Sequence, residues 1–219
     1  TFMEYDTMNT EDTIMKHEWR KTEKTLYLPP RQPVLVNVEE HPYITIHGEG
    51  SPDDPAFARN IEALYSIAYG IKMSDRKGIV TEGFHDYAVY PLEGIWDVNE
   101  AARKKGAFTR EQLVYTLMIR QPDFVTQKLF DQVVTLKQFG DNDPLLRNVV
   151  FLRQGDGKCV QMLHVGPFAT EKESFDRIEA YLTANGLKRR DLTHREIYLS
   201  DFRKTDPDEL KTVLRVFVE

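Results

Sequence analysis

The sequence predicts an α+β fold: tandem ββαββ repeats with a linking helix and antiparallel sheets, which either curve toward each other or pair edge to edge, with a cleft at their junction in both cases. Three observations predict the repeats. Runs rich in β-branched and aromatic residues come in pairs. Each first pair is followed by a segment with helical spacing and recognisable end signals. The same order then recurs in the second half of the 219 residues.

Residues 1–14, TFMEYDTMNTEDTI, are polar, acidic and unpatterned, and read as a disordered leader or as residues added for expression. A single domain is expected over 15–219, with repeat one at about 31–121, the linking helix at about 122–140 and repeat two at about 148–219. Repeat one opens with PVLVNVEEHPYITIHG, Pro33 to Gly48, which reads as a hairpin. Asp54 then caps a helix and Pro55 fills its first turn, where no N–H is required. Phe57, Ile61, Leu64, Tyr65 and Ala68 recur at helical spacing, with Gly70 as the expected stop. Two strands follow, in DYAVYPLEGIWDV and EQLVYTLMIRQP.

The linking helix is read from QPDFVTQKLFDQVVTLKQFG, with Val125, Leu129, Gln132, Val133 and Leu136 on one side and Gly140 at its end. Repeat two begins with NVVFLRQGDGKCVQMLHVG, a second expected hairpin with GDG as its turn. In FATEKESFDRIEAYLTANG, Thr170 and Glu173 fit a capping box, Phe175, Ile178 and Leu182 form a stripe, and Asn185-Gly186 closes the helix. HREIYLS and TVLRVFVE complete the repeat. ITIHGEG and QMLHVGPF, each a histidine close to a glycine ahead of a helix, support an internal duplication.

Composition narrows the function. Lys+Arg at 29 against Asp+Glu at 35 gives −6, which argues against a chain that lives on nucleic acid. LKRRD, Leu187 to Asp191, is read as a solvated helix end rather than a phosphate-binding patch. The roughly 30 residues before the first hairpin are too few for a helix-turn-helix reading head, so no direct DNA binding is expected. Cys159 is the one cysteine, so a disulfide framework is excluded and a reducing cytoplasm fits; it reads as a small core residue rather than a nucleophile. Neither a membrane span nor a signal peptide is expected. The six histidines show no metal-ligand spacing, and phosphate-loop and nucleophile-elbow patterns are absent, so no cofactor and no metal are expected.

In REIYLS the period of two puts Ile197 and Leu199 on one face, expected to pack under the third helix, and Glu196, Tyr198 and Ser200 on the other. An antiparallel sheet often has a wet face, so Glu196 reads either as a solvated charge or as the anchor of a site. Aromatic residues elsewhere favour the second reading: Tyr90, Glu93 and Trp96 in YPLEGIW and its approach, Tyr115 and Met118 nearby, and Met162, His164 and Phe168 in repeat two. Ring faces beside a half-buried carboxylate suit a flat, cationic, apolar ligand.

HVGPF, the capped helix, YPLEGIW and HREIYLSDFRKTDPDELKTVLRVFVE together resemble the GyrI-like small-molecule-binding family, which includes effector domains of MerR- and AraC-type multidrug regulators and stand-alone proteins. The similarity is strongest over Lys158 to Glu219 and looser back to about Met15; Phe202 stands where related sequences tend to have proline. The resemblance implies a duplicated module with a pseudo-two-fold ligand cleft between the repeats that binds lipophilic, aromatic or cationic drugs and toxins, with Glu196 at the pocket centre, Tyr198 beside it, Trp96 as a wall and Glu93 as a second acid. It also implies an alternative: some stand-alone relatives hydrolyse the cyclopropane of polycyclic DNA-alkylating toxins. Glu196 is then the expected base, with Tyr198 or Tyr115 as donor. Related folds bind tetrapyrroles, a third reading, although no histidine stands out as an axial ligand. The expected partner is a small molecule, and the expected state a monomer or weak dimer.

Overall fold

The computed structural model describes residues 16–141 and 143–219; the leader expected at 1–14 lies outside the described residues. Among the described residues there are eight strands: β1 Val34–Val38, β2 His41–Glu49, β3 Leu92–Val98, β4 Leu113–Arg120, β5 Val150–Gln154, β6 Gly157–Val165, β7 Arg189–Tyr198 and β8 Lys211–Val218. The helices are α1 Trp19–Thr22, α2 Lys24–Tyr27, α3 Pro55–Lys72, α4 Glu100–Lys105, α5 Gln127–Asp141 and α6 Glu171–Ala184. None is long and apolar enough to cross a membrane. The short helices α1, α2 and α4 have no counterpart among the elements expected from sequence.

All eight strands form one antiparallel sheet in the order β1-β6-β8-β7-β3-β4-β2-β5. Exchanging the repeats (β1 for β5, β2 for β6, β3 for β7, β4 for β8) gives the same order reversed. The sheet therefore has a pseudo-two-fold axis between β3 and β7, where Gly94 and Glu196 face each other as Cα partners. Position by position, Trp96 then corresponds to Tyr198. Gly48, rather than His47, corresponds to His164, so the two histidines noted in the sequence do not occupy equivalent places.

Neither expected hairpin forms. β1 pairs with β6 and β2 with β5, so each repeat lends its first strand to the other. Only Glu39 and Glu40 connect β1 to β2, and only Gly155 and Asp156 connect β5 to β6, although each linked pair is far apart in the strand order. The sheet must therefore curl until its two ends meet. The two connections touch there: a Cβ on Gly155 would lie 3.1 Å from the backbone nitrogen of Glu40, which is why this position needs glycine. GDG is thus a crossing rather than a hairpin turn.

The outer face carries the helices, with α3 over β2 and β4, α6 over β6 and against the β8 residues Leu214 and Val216, and α5 against α3. The expected Asp54 cap is present, its side chain accepting from Ala56 N. Gly70 does not stop α3; it is buried inside the helix, and an added Cβ would meet Val133 Cγ1 of α5 at 2.6 Å. Likewise Gly140 lies within α5, whose buried residues include Leu129, Phe130 and Val133, while Gln132 and Leu136 are exposed. Thr170 makes no side-chain cap bond to α6, because its hydroxyl donates to Pro167 O at 2.9 Å; the expected stripe of Ile178 and Leu182 is buried, and it packs on Val160, Met162, Leu214 and Val216.

The inner face holds a buried ionic network beside a smaller apolar cluster of Val36, Val38, Cys159 and Phe217. Asp156, its side chain fully buried, binds Arg195 at 2.5 Å and Arg215 at 2.9 Å, and Arg195 also binds Glu93 at 2.7 Å. Tyr27 of α2 donates to Glu93 at 3.4 Å, and Arg120 pairs with Glu23. Three arginines thus meet three carboxylates. Arg195 and Arg215 hold Asp156 below the usual carboxylate range although burial pushes the other way. Ile197 lies on this inner side, opposite Glu93 in register. That overturns the expectation that the Ile197 face would lie under the third helix; the helix-bearing face is the one with Glu196 and Tyr198.

Candidate functional site

Because α3 and α6 each cover one half of the sheet, the central strands β3 and β7 are left beneath a gap between them. That gap is a cavity of about 180 Å³, lined by Phe57, Trp96, Phe168, Glu171, His194, Glu196, Tyr198 and Phe202, among others. Glu196 sits on its floor at 9% exposure. It is flanked along its own strand by two donors at the i±2 positions, as strand periodicity requires. Tyr198 donates to Oε2 at 2.7 Å, and His194 Nε2 is 3.1 Å from Oε1, which makes Nε2 the protonated ring nitrogen. Among the described residues, no lysine or arginine pairs with Glu196. Arg110 lines the rim but is held by Asp53 at 2.6 Å.

Tyr198 also accepts from Trp96 Nε1 at 2.8 Å, so its hydroxyl is committed on both sides. Burial, reinforced by the charge of Glu196, drives its pKa well above the ordinary phenol value. Gly94 makes this arrangement possible. An added Cβ there would fall 2.9 Å from Trp96 Nε1 and 3.3 Å from the Tyr198 hydroxyl. The walls are aromatic: Phe57 lies 5.8 Å from Trp96, and Phe168, Tyr198 and Phe202 form a cluster of edge contacts about 6 Å apart.

Of the residues singled out from sequence, the structure brings together Glu196, Tyr198, Trp96 and Phe168. Tyr115 stands behind the wall, packed on Phe57 and Trp96, its hydroxyl accepting from Asn60 at 3.2 Å. His164 supports the turn that carries Phe168: its Nε2 donates to Pro167 O at 3.2 Å and its Nδ1 meets Ser174 Oγ at 2.9 Å. Met162 is core beneath α6. Glu93 and Met118 lie on the inner face, both against Arg195, because one residue of strand register separates them from Gly94 and Leu117. Tyr90 donates to Glu23 at 2.6 Å and borders a separate cavity of about 540 Å³ with Tyr65 and Tyr69.

Of the lining residues that sequence reasoning did not place at the site, two act directly on Glu196. His194 is one, placed two residues before Glu196. The other is Glu171, the first residue of α6, at 8% exposure. Burial, with the nearby charge of Glu196 adding to it, pushes the Glu171 carboxyl up to about 9, so it is protonated at neutral pH. The cleft therefore contains two acids, Glu171 and Glu196, of which Glu171 is the one that burial holds protonated.

Comparison with known proteins agrees with this architecture. The GyrI-like small molecule binding domain matches residues 31–218. A hydrolase from Listeria innocua is similar with 33% identity and a TM-score of 0.85, over 93% of this chain and 100% of that one. A hydrolase encoded by lin2189 of the same organism is 34% identical, also at 0.85, over 94% and 100%. The C-terminal domain of EcmrR shares the fold at 15% identity and a TM-score of 0.50, over 86% and 97%. None of the curated proteins matches. With its family profile spanning nearly the whole sheet, this chain belongs to the GyrI-like small-molecule-binding family.

Proposed function

We propose that the chain binds lipophilic, flat, cationic small molecules in the cleft between α3 and α6, with Glu196 as the charge partner and Trp96, Phe57 and Phe168 as stacking surfaces. The observation that carries this reading is a nine-tenths buried carboxylate, walled by aromatic rings, without a lysine or arginine partner among the described residues. A buried charge is costly unless paired, and a cationic ring system supplies both the pairing and the apolar area. Tyr198 and His194 hold the carboxylate in place through hydrogen bonds to its two oxygens. A titration with rhodamine 6G tests the reading. Binding is expected to saturate at one site and to weaken tenfold or more in Glu196→Gln; equal affinity in the two proteins refutes it.

A second reading is ring-opening hydrolysis, favoured by the two hydrolases of about one-third identity and by the two donors flanking Glu196. Glu196 would take a proton from water as the oxygen bonds to a cyclopropane carbon. The ring C–C bond then breaks and its electrons reach the conjugated carbonyl oxygen, which ends as a phenol after protonation. Water is added and nothing else is consumed. Tyr115 is a poor donor for this step, since its hydroxyl belongs to Asn60 behind the wall. Mass spectrometry of a cyclopropane-bearing polycyclic ketone incubated with the protein decides the matter: a hydrated product supports it, and unchanged substrate alongside retained rhodamine binding removes it.

A further inference from the structure

The function proposed above uses Glu196 and leaves Glu171 unexplained. Glu171 projects from the start of α6 into the same cavity, and its Oε1 is buried with no hydrogen-bond partner. An orphaned carboxyl oxygen costs free energy that native interiors rarely tolerate. The titratable and charged groups facing the cavity with it are His194, Glu196 and Tyr198 on β7 and Arg110 before β4. Arg110 is committed to Asp53, and both His194 and Tyr198 are committed to Glu196. Nothing of opposite charge is therefore assigned to Glu171.

We propose that Glu171 is a second recognition group of the cleft, and that Glu171 and Glu196 together select flat organic dications whose two positive charges each meet one carboxyl group. This rests on the reading of the cleft as a cation site. Two acids that share a small cavity cannot both ionise without compensation, so one keeps its proton. A monocation neutralises Glu196 and leaves that proton in place. A dication supplies the missing charge, and the proton leaves Glu171 for solvent as the ligand binds. The start of α6 favours the ionised form further, since the helix N-terminus attracts negative charge.

Ethidium and propidium share one phenanthridinium ring and differ in carrying one and two positive charges, which makes them the test pair. With the Glu171 carboxyl at about 9, raising the pH from 7 to 9 increases its ionised fraction about fifty-fold, and the preference for propidium over ethidium should rise by about that factor. Calorimetry in buffers of different ionisation heat should register release of about one proton per propidium near pH 7, and none per ethidium. In Glu171→Gln the preference becomes independent of pH and the proton release disappears. A preference that does not change with pH in the wild-type protein overturns the proposal, as does a slope that persists in Glu171→Gln. Ethidium binding that is lost in Glu196→Gln upholds the cation site whichever way the propidium ratio falls, and failure of both dyes to bind overturns the two readings together.

Discussion

The indole N–H of Trp96 donates to the Tyr198 hydroxyl across 2.8 Å, and these are the positions that the pseudo-two-fold axis exchanges. One repeat supplies the donor and the other the acceptor, so the bond ties the repeats together directly over Gly94. Its proton chain continues from Tyr198 to Glu196 at 2.7 Å. Substituting Tyr198 by Phe leaves the Trp96 N–H and one Glu196 oxygen without this partner in a buried site. The expected cost is about 1–3 kcal/mol of stability in urea unfolding, with weakened dye binding. Gly94→Ala should reproduce the binding defect, since its Cβ would displace the same bond.

Asp156 compensates Arg195 and Arg215 on the inner face, and Asp156→Asn leaves two buried cations short of charge. A loss of about 3–5 kcal/mol is expected at pH 7. The sign of its pH dependence follows from the lowered folded pKa. The stabilisation is present above the unfolded value of 3.8 and is lost as pH falls through the lower folded value. The gap between wild type and variant in denaturant unfolding should therefore narrow in strong acid.

Glu171 behaves in the opposite sense. Its folded pKa is raised, so the native state binds the extra proton between the ordinary value of 4.5 and about 9, and stability declines as pH rises through that window. Glu171→Gln removes the decline. The variant should match wild type near pH 4 and exceed it at pH 7 by at most about 3 kcal/mol, read as a rise in Tm that grows toward pH 9.

Gly70 brings α3 against Val133 of α5, so Gly70→Ala must push the helices apart or displace the valine. About 1–3 kcal/mol of destabilisation is expected from overpacking. Adding Val133→Ala opens the space again, and the double variant should be less destabilised than the two single costs added together.

The repeats, the three long helices and the meeting of Glu196, Tyr198 and Trp96 were legible because they depend on local periodicity, the Asp54 cap and a family resemblance. What escaped depends on long-range geometry. Gly155-Asp156-Gly157 has turn composition, yet the strands it joins lie far apart in a curled sheet, and its aspartate is the centre of a buried ion network. Glu93 and Glu196 look equivalent in their strands, but a register shift of one residue sends Glu93 to the inner face and puts Gly94 opposite Glu196. Glu171 reads as an ordinary acid in the first turn of a helix. Only the docking of α6 beside β7 reveals that it is buried within the cleft.

The central claim is that a cation settles on Glu196 between the walls contributed by the two repeats. Its most direct measurement is an anomalous-difference map from crystals soaked with a brominated flat monocation. The account predicts a bromine peak and ring density between Trp96, Phe57 and Phe168, with the positive centre against Glu196. Density confined to the cavity beside Tyr65 and Tyr69, with the Glu196 cleft unfilled, would contradict it.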